Sequence, residues 1–265
     1  MNRVIWTYWN DKNIPDLVLR CLNSIKRQNK DYSVITLHED DIPDEVYKVF
    51  SPESVSQGKK KLNDVSDHYH QHLSDILRIW LLKEYGGVWL DISTYCNAPI
   101  DVSLEGGYDF YAEYHDPSVY EATKEIPYFE CILMSSNPNG KIINRWWEEC
   151  KFLWTFDYPL KYIDYLTNIQ KVNLDGIHHF NSYLWPCLAL RSVLTKNPNL
   201  VQHIKKKPLS EGYYFLPDSC DWDCAKMYKT YDEKKHKIVK LTHTLRSDLQ
   251  IQKMILESDS KYDNK

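Results

Sequence analysis

The segment "LSDILRIWLLKEYGGVWLDIS" (73–93) constrains the fold more than any other part of the chain. Its apolar residues recur at three- and four-residue spacing as far as Tyr85, which predicts a helix with a buried face. Gly86 and Gly87 end that helix, because glycine is favoured just past a helix end. The run "VWLDI" (88–92) then predicts a short buried strand. A helix followed at once by a buried strand is typical of an α/β protein.

Three charged residues of this apolar segment need partners. Asp75 and Arg78 lie in the predicted helix, and Asp91 lies at the end of the predicted strand. Burying a charge is costly unless it is paired, so these residues either form ion pairs within the fold or contact a charged ligand. Open α/β sheets bind ligands at the carboxyl ends of their strands. Asp91 and Ser93 are therefore candidates for ligand contact.

The rest of the chain predicts further strands and helices in one domain. Residues 3–9 and 32–37 read as strands and 15–29 as a helix between them, a βαβ unit that predicts a parallel sheet. Further strands are predicted at 108–114, 128–136 and 236–243, the last ending in His243, and further helices at 139–154, 182–197 and 247–258. Pro186 must lie in a first helical turn or make a kink.

Composition excludes one class of partner and favours another. The formal net charge is −4, whereas a nucleic-acid-binding protein normally carries a basic excess, so no nucleic-acid partner is expected. The 20 Tyr and 9 Trp residues combine apolar rings with polar tips, which suits contact with carbohydrate or nucleobase as well as an ordinary core. Short basic runs at 58–61 and 204–208 permit a weak contact with an anionic membrane surface.

Sorting signals and cysteines bear on location. The start "MNRVIWTYWN" lacks the apolar core of a signal peptide, and no apolar run is long enough for a membrane-spanning helix. The seven cysteines are odd in number and scattered, as expected of reduced thiols. We therefore expect a cytoplasmic protein without a transmembrane segment, and peripheral membrane contact is compatible with this expectation.

Residues 74–93 resemble the signature of the capsular polysaccharide synthesis protein family, within the wider group of DXD-containing sugar transferases. That signature has a helix with Ser-Asp-x-x-Arg, then Gly-Gly, an aromatic residue and Asp-x-Asp. "VIWTYWN", "CLNSIKRQNKDYSVITL", "ECILMSSNPNG" and "KLTH" are similar to other parts of the family. The resemblance implies an α/β GT-A fold, with a mainly parallel central sheet flanked by helices. It would form a single domain over 1–258, with a nucleotide-sugar-binding half (1–100), an acceptor-side half (101–258) and a polar tail (259–265).

The resemblance also implies roles for individual residues. Asp75, Arg78 and Asp91 would form the catalytic set. The donor site would comprise Tyr8, Trp9, Ser74, Asp75, Arg78 and Asp91, with Tyr8 and Trp9 holding the base. A divalent metal, Mn²⁺ or Mg²⁺, would bind Asp91, Ser93 and His243.

One departure from the signature bears on the metal. Ser93 stands where the second acid of Asp-x-Asp is usual, and replacing a negative charge by a neutral hydroxyl lowers metal affinity. Arg246 or Lys240, which flank His243, could supply positive charge in place of a weakly held metal. Glu130 is either an active-site acid beside the acceptor or a solvated strand residue.

The resemblance therefore implies a glycosyltransferase. It would move a sugar from a nucleoside-diphosphate sugar, with a UDP-sugar expected, to a glycan or lipid-linked glycan acceptor in polysaccharide or surface-glycan synthesis, with retention of configuration. Two alternatives are a glycan- or nucleotide-sugar-binding protein that has lost catalysis, which Ser93 favours, and a nucleotidyltransferase. The second is disfavoured because the first strand leads into no glycine- and lysine-rich phosphate loop.

Overall fold

The computed structural model describes residues 2–65, 68–115, 126–156, 159–174, 184–211, 213–214 and 223–262. The described strands are β1 (Val4–Tyr8), β2 (Ser33–Leu37), β3 (Gly87–Leu90), β4 (Thr94–Cys96), β5 (Phe110–Tyr114), β6 (Phe129–Ser136), β7 (Ile204–Pro208), β8 (Tyr213–Tyr214) and β9 (Ile238–Lys240). The described α-helices are α1 (Asp16–Gln28), α2 (Asp44–Lys48), α3 (Val55–Val65), α4 (Tyr69–Glu84), α5 (Lys141–Leu153), α6 (Pro159–Asp164), α7 (Trp185–Lys196), α8 (Cys224–Thr230), α9 (His243–Ser247) and α10 (Leu249–Ser260). Short 3₁₀ turns follow β2 and α7 (Glu39–Asp41 and Pro198–His203), and a π-helical turn (Tyr165–Ile169) follows α6.

A six-stranded sheet in the order β2-β1-β3-β6-β5-β7 forms the centre of the molecule. Strands β1, β2 and β3 pair in parallel, β6 runs antiparallel to both of its neighbours, and β7 pairs in parallel with β5. Five of the six strands therefore share one direction. The predicted α/β class with a mainly parallel sheet is confirmed, and β6 is the exception to it.

Helices cover both faces of this sheet. On one face, side chains such as Trp89, Phe110 and Met134 pack against α4, α5 and α7 in the largest apolar cluster. On the other face, Ile5 and Val88 pack with Ile25 of α1. Because both faces are buried, the central strands are mostly apolar, as expected for strands in α/β folds.

The double glycine connects α4 to β3 as predicted. Gly86 has a φ of +64° and Gly87 a φ of +92°, a region that side-chain-bearing residues rarely adopt. A Cβ atom on Gly86 would lie 2.6 Å from Pro138 Cδ, and one on Gly87 would lie 2.8 Å from the Val4 carbonyl oxygen. The turn therefore needs glycine for its conformation and for its space, and it sends the chain directly into β3.

A second sheet, in the order β4-β9-β8, pairs strands from the last quarter of the chain with β4, which closely follows β3. Strand β9 pairs antiparallel with β4, with Lys240 opposite Thr94. A strand of the predicted acceptor-side half therefore packs on the predicted nucleotide-sugar half.

The C-terminal helix is also anchored. Asp259, which the sequence placed in a polar tail, lies within α10 and is buried, and it accepts hydrogen bonds from Arg20, Arg27 and Tyr95.

The helices and strands that the sequence predicted are found near their predicted spans, except that the last strand ends earlier. Pro186 lies in the first turn of α7, as its missing N–H requires. The last predicted strand stops at Lys240, and His243 is the first residue of α9 instead of a strand end. The Thr242 side chain accepts a hydrogen bond from the Leu245 N–H, which caps the helix and explains the difference.

Candidate active site

The carboxyl end of β3 and the buried face of α4 bring the predicted charged residues together. Arg78 Nη2 lies 2.9 Å from Asp75 Oδ1 and 3.4 Å from Asp91 Oδ1, so one guanidinium connects both carboxylates. Its Nη1 donates to the Cys131 carbonyl oxygen at 2.7 Å. Ser74 also belongs to this group, since its Oγ and carbonyl oxygen both accept from Arg78. The structure therefore brings Ser74, Asp75, Arg78 and Asp91 together in one cluster, and their role as a donor site stays a prediction.

Asp91 is held by three donors from three elements. Trp89 Nε1 donates to its Oδ1 at 2.8 Å, and Lys240 Nζ donates to its Oδ2 at 2.6 Å, while Arg78 completes the set. Burial acts to raise the pKa of Asp91, but the charges of Lys240 and Arg78 outweigh it, and the pKa lies below its usual value. Asp91 is therefore a fixed negative charge at neutral pH.

Lys240 reaches Asp91 because of the register of the second sheet. Its partner across the β4–β9 ladder is Thr94, and the Leu241 N–H donates to the Ser93 carbonyl oxygen at 2.9 Å. The Lys240 ammonium consequently lies over the Asp-x-Ser pair, donating to Asp91 and to Ser93 Oγ at 3.0 Å. Burial lowers the pKa of Lys240, although Asp91 opposes this shift.

Asp75 differs from Asp91 in its protonation. Burial raises its pKa to about 7; Arg78 opposes this shift, and the negative charges of Asp91 and Glu130 add to it. Two carboxyl groups of one cluster therefore have well-separated pKa values. Asp75 can take up or release a proton near neutral pH, which is what a general acid or base requires.

Tyr8 and Trp9, predicted to hold a nucleobase, differ in their exposure. Trp9 is partly exposed beside the site, and the Arg246 guanidinium carbon lies 5.6 Å from the centre of its ring. Tyr8 is buried, and among the described residues its hydroxyl has no hydrogen-bond partner. Burial raises the pKa of Tyr8, with a further contribution from Glu39. Of the two, Trp9 is the one that presents a partly exposed ring.

Glu130 joins the site from β6. Its Oε1 lies 2.7 Å from His115 Nε2, and the His115 ring stacks on Tyr128 with centroids 4.7 Å apart. The side chain of Glu130 is 14% exposed, so the solvated alternative does not describe it. No local pattern indicated the His115 contact, because the two residues meet only through the pairing of β5 with β6.

The predicted metal ligands do not converge. His243 is exposed at the start of α9, and within the described part of the chain its side chain makes no hydrogen bond or ion pair. Asp91 and Ser93 already accept bonds from Lys240. No group of three or more His, Cys, Asp or Glu suited to a metal occurs among the residues that the structure describes. Hard divalent ions require several oxygen ligands, so this set does not fit one, and the metal implied by the resemblance stays a prediction.

The central strand β3 leads directly into Asp91, which is partly buried beside a helix carrying Ser-Asp-x-x-Arg, the arrangement that the resemblance implies for a sugar transferase. The chain belongs to the capsular polysaccharide synthesis protein family, whose model matches residues 1–258. No curated protein matches it. No described helix is long and apolar enough to cross a membrane.

Several solved glycosyltransferase structures are weakly similar to this chain. The galactosyltransferase LgtC in complex with donor and acceptor sugar analogues is 11% identical, with a TM-score of 0.47 over 97% of this chain and 95% of that one. A glycosyltransferase involved in glycosylation of the major capsid of PBCV-1 is 11% identical, with a TM-score of 0.44 over 96% and 98%. The bifunctional WbbM glycosyltransferase is 12% identical, with a TM-score of 0.49 over 98% and 50%. At these values the likenesses add nothing to the family assignment.

Proposed function

We propose that the chain transfers a hexose-type sugar from a nucleoside-diphosphate sugar, a UDP-sugar, to a glycan or lipid-linked glycan acceptor. The observation that carries this proposal is the largely buried cluster of Asp91, Arg78 and Lys240 at the carboxyl end of β3. A carboxylate accepts hydrogen bonds from sugar hydroxyls, and ammonium and guanidinium groups bind phosphate oxygens. This combination suits a ligand that is both hydroxylated and anionic.

The donor would lie across the strand ends. The nucleobase would stack on Trp9, which Arg246 already contacts from one side. Asp91 and Arg78 would contact the ribose and the donor sugar, and the cations Lys240 and Arg246 would lie near the diphosphate. Preorganised positive charge in a site with little water stabilises the negative charge that develops on a leaving group.

Transfer would break the bond between the anomeric carbon and the β-phosphate oxygen. The acceptor hydroxyl oxygen would form the new bond on the same face of the sugar, which retains configuration. Its proton would go to Asp75, whose pKa of about 7 suits a base at neutral pH. Glu130, held by His115, would hydrogen-bond to the acceptor.

A non-catalytic sugar-nucleotide-binding protein is the second candidate, and Ser93 in the position of the second acid is the observation that favours it. Binding alone fits both candidates, so turnover separates them. A cytoplasmic location with peripheral membrane contact stays a prediction.

The test is a hydrolysis and binding screen of nucleoside-diphosphate sugars, each with and without Mn²⁺ or Mg²⁺, on the wild type and Asp91→Ala. Asp101→Ala is the control, because Asp101 is an exposed aspartate outside the cluster. The proposal predicts slow hydrolysis of one donor, lost in Asp91→Ala and kept in the control. Binding without hydrolysis, in the presence of candidate glycan acceptors as well, would favour the non-catalytic protein. The absence of any binding would refute both.

A further inference from the structure

Lys240 occupies the position in which the resemblance places a metal. Its Nζ donates to Asp91 Oδ2 at 2.6 Å and to Ser93 Oγ at 3.0 Å, the two positions that correspond to Asp-x-Asp. The lysine side chain is 12% exposed and that of Asp91 18%, so the contact is largely shielded from water. Ser93, the residue that departs from the signature, therefore accepts a hydrogen bond from the same lysine as Asp91.

The ammonium has one further donor. A lysine ammonium carries three N–H groups, and two are used by Asp91 and Ser93. Among the described residues no acceptor is bonded to the third. The Lys240 ammonium is therefore held in a fixed position, carries a positive charge and has one N–H left for a ligand oxygen. These are the properties with which a lysine binds phosphate.

Because Ser93 is neutral, Asp91 is the one negative charge of the Asp-x-Ser pair that faces the Lys240 ammonium. An acid at position 93 would place a second carboxylate against the ammonium, and a hard divalent ion would then have two carboxylates to bind. With serine, the pair carries one negative charge, and one lysine balances it. Strand register keeps the lysine in place, because Lys240 lies opposite Thr94 in the β4–β9 ladder.

We propose that Lys240 takes the place of the divalent metal: its ammonium neutralises Asp91, is positioned by Ser93, and donates to the diphosphate of the sugar donor. The inference rests on the proposed function and specifies its cation. Donor binding is then independent of divalent metal, and the charge on the leaving diphosphate is balanced by a residue of the chain.

The experiment measures binding of UDP, GDP and ADP in turn by isothermal titration calorimetry, in EDTA and in millimolar Mn²⁺. The proposal predicts that the nucleotide that binds has the same affinity in both. Lys240→Gln keeps a hydrogen-bonding side chain but loses the charge, and it should weaken that binding about 10- to 100-fold, as expected for loss of a charge-assisted hydrogen bond. Lys237→Gln is the control, because Lys237 is exposed on the same segment.

A double variant tests the exchange of lysine for metal directly. Ser93→Asp with Lys240→Gln places two carboxylates at the strand end without the ammonium. We expect it to bind Mn²⁺ without nucleotide, seen as loss of the free-ion signal in electron paramagnetic resonance, and to bind nucleotide only with Mn²⁺. The wild type should leave the Mn²⁺ signal unchanged. Circular dichroism spectra confirm that each variant is folded.

The outcomes separate this inference from the proposed function. Nucleotide binding that needs Mn²⁺ in the wild type and is unchanged by Lys240→Gln overturns the role of Lys240 and leaves the transferase standing. No binding of any nucleotide under either condition overturns both.

Discussion

Replacing Asp75 by asparagine should stabilise the protein at alkaline pH relative to the wild type and should slow sugar transfer. The side chain of Asp75 is 15% exposed, and its pKa rises from 3.8 to about 7 on folding because the site is poorly solvated and lies near Asp91 and Glu130. Between these two pKa values the unfolded chain is ionised while the folded protein keeps the proton. The raised pKa therefore gives stability that is fully present below pH 3.8 and is lost as the pH rises through 7.

The size of the effect follows from the two pKa values. Each pH unit over which the unfolded state alone is ionised lowers the free energy of unfolding by about 1.36 kcal/mol. Of the interval from about pH 5.5 to 8.5, only the pH range below the folded pKa of about 7 contributes to the loss. This range is roughly one and a half pH units, so the free energy of unfolding falls by about 2 kcal/mol. The asparagine side chain of the variant carries no titratable proton and can still accept from Arg78, so the variant should lack this loss.

The assay is urea unfolding of the wild type, Asp75→Asn and the exposed control Asp101→Asn at about pH 5.5 and 8.5. The wild type and the control should lose about 2 kcal/mol more than Asp75→Asn over this interval. If the free energy of unfolding changes by the same amount between the two pH values in all three proteins, the raised pKa of Asp75 is refuted. The assignment of Asp75 as the group that takes the acceptor proton is then refuted with it. Donor hydrolysis by the folded variant should fall at least about 100-fold, the usual contribution of a general base.

Three further substitutions test the fold around the site. Burial raises the pKa of Glu113 from 4.5 to about 8, so the free energy of unfolding of the wild type should fall by about 3 kcal/mol between about pH 5.5 and 8.5. Glu113→Gln should lack this loss. An equal loss in both proteins, measured by urea unfolding, would contradict the prediction. Asp259→Ala should cost about 3 kcal/mol, because it removes the carboxylate partner of Arg27 and one of the two of Arg20, whereas Glu257→Ala, exposed on the same helix, should change urea stability little. Gly86→Ala should lower thermal stability by at least about 2 kcal/mol, because it combines backbone strain at a positive φ with a clash against Pro138. Gly107→Ala is the control, because it meets the strain without a clash. Equal losses of stability in the two variants would refute the packing account.

Local patterns explain why much of the site could be predicted from the sequence. Asp75, Arg78 and Asp91 lie within one helix–turn–strand segment, whose helical periodicity and double glycine fix their relative positions. Trp89 could have been found as a partner of Asp91, because residues two apart in a strand lie on the same face. Local sequence was sufficient there.

Long-range pairing explains what the sequence could not provide. Lys240 was expected only as a source of charge, and its contact with Ser93 depends on β9 pairing with β4, elements far apart in the chain. The contact of Glu130 with His115 depends in the same way on the pairing of β5 with β6. His243 was assigned to a strand because the apolar run before it hid the capping threonine, a signal that was visible at position 242.

A crystal structure of the protein with UDP, or with the nucleotide that the titration selects, would test the central claim most directly. The account predicts the base against Trp9 and a diphosphate oxygen within hydrogen-bonding distance of Lys240 Nζ at the end of β3. The account would be contradicted if the nucleotide bound elsewhere and Lys240, Asp91 and Arg78 stayed paired only with one another. The cluster would then be a set of ion pairs that stabilises the fold.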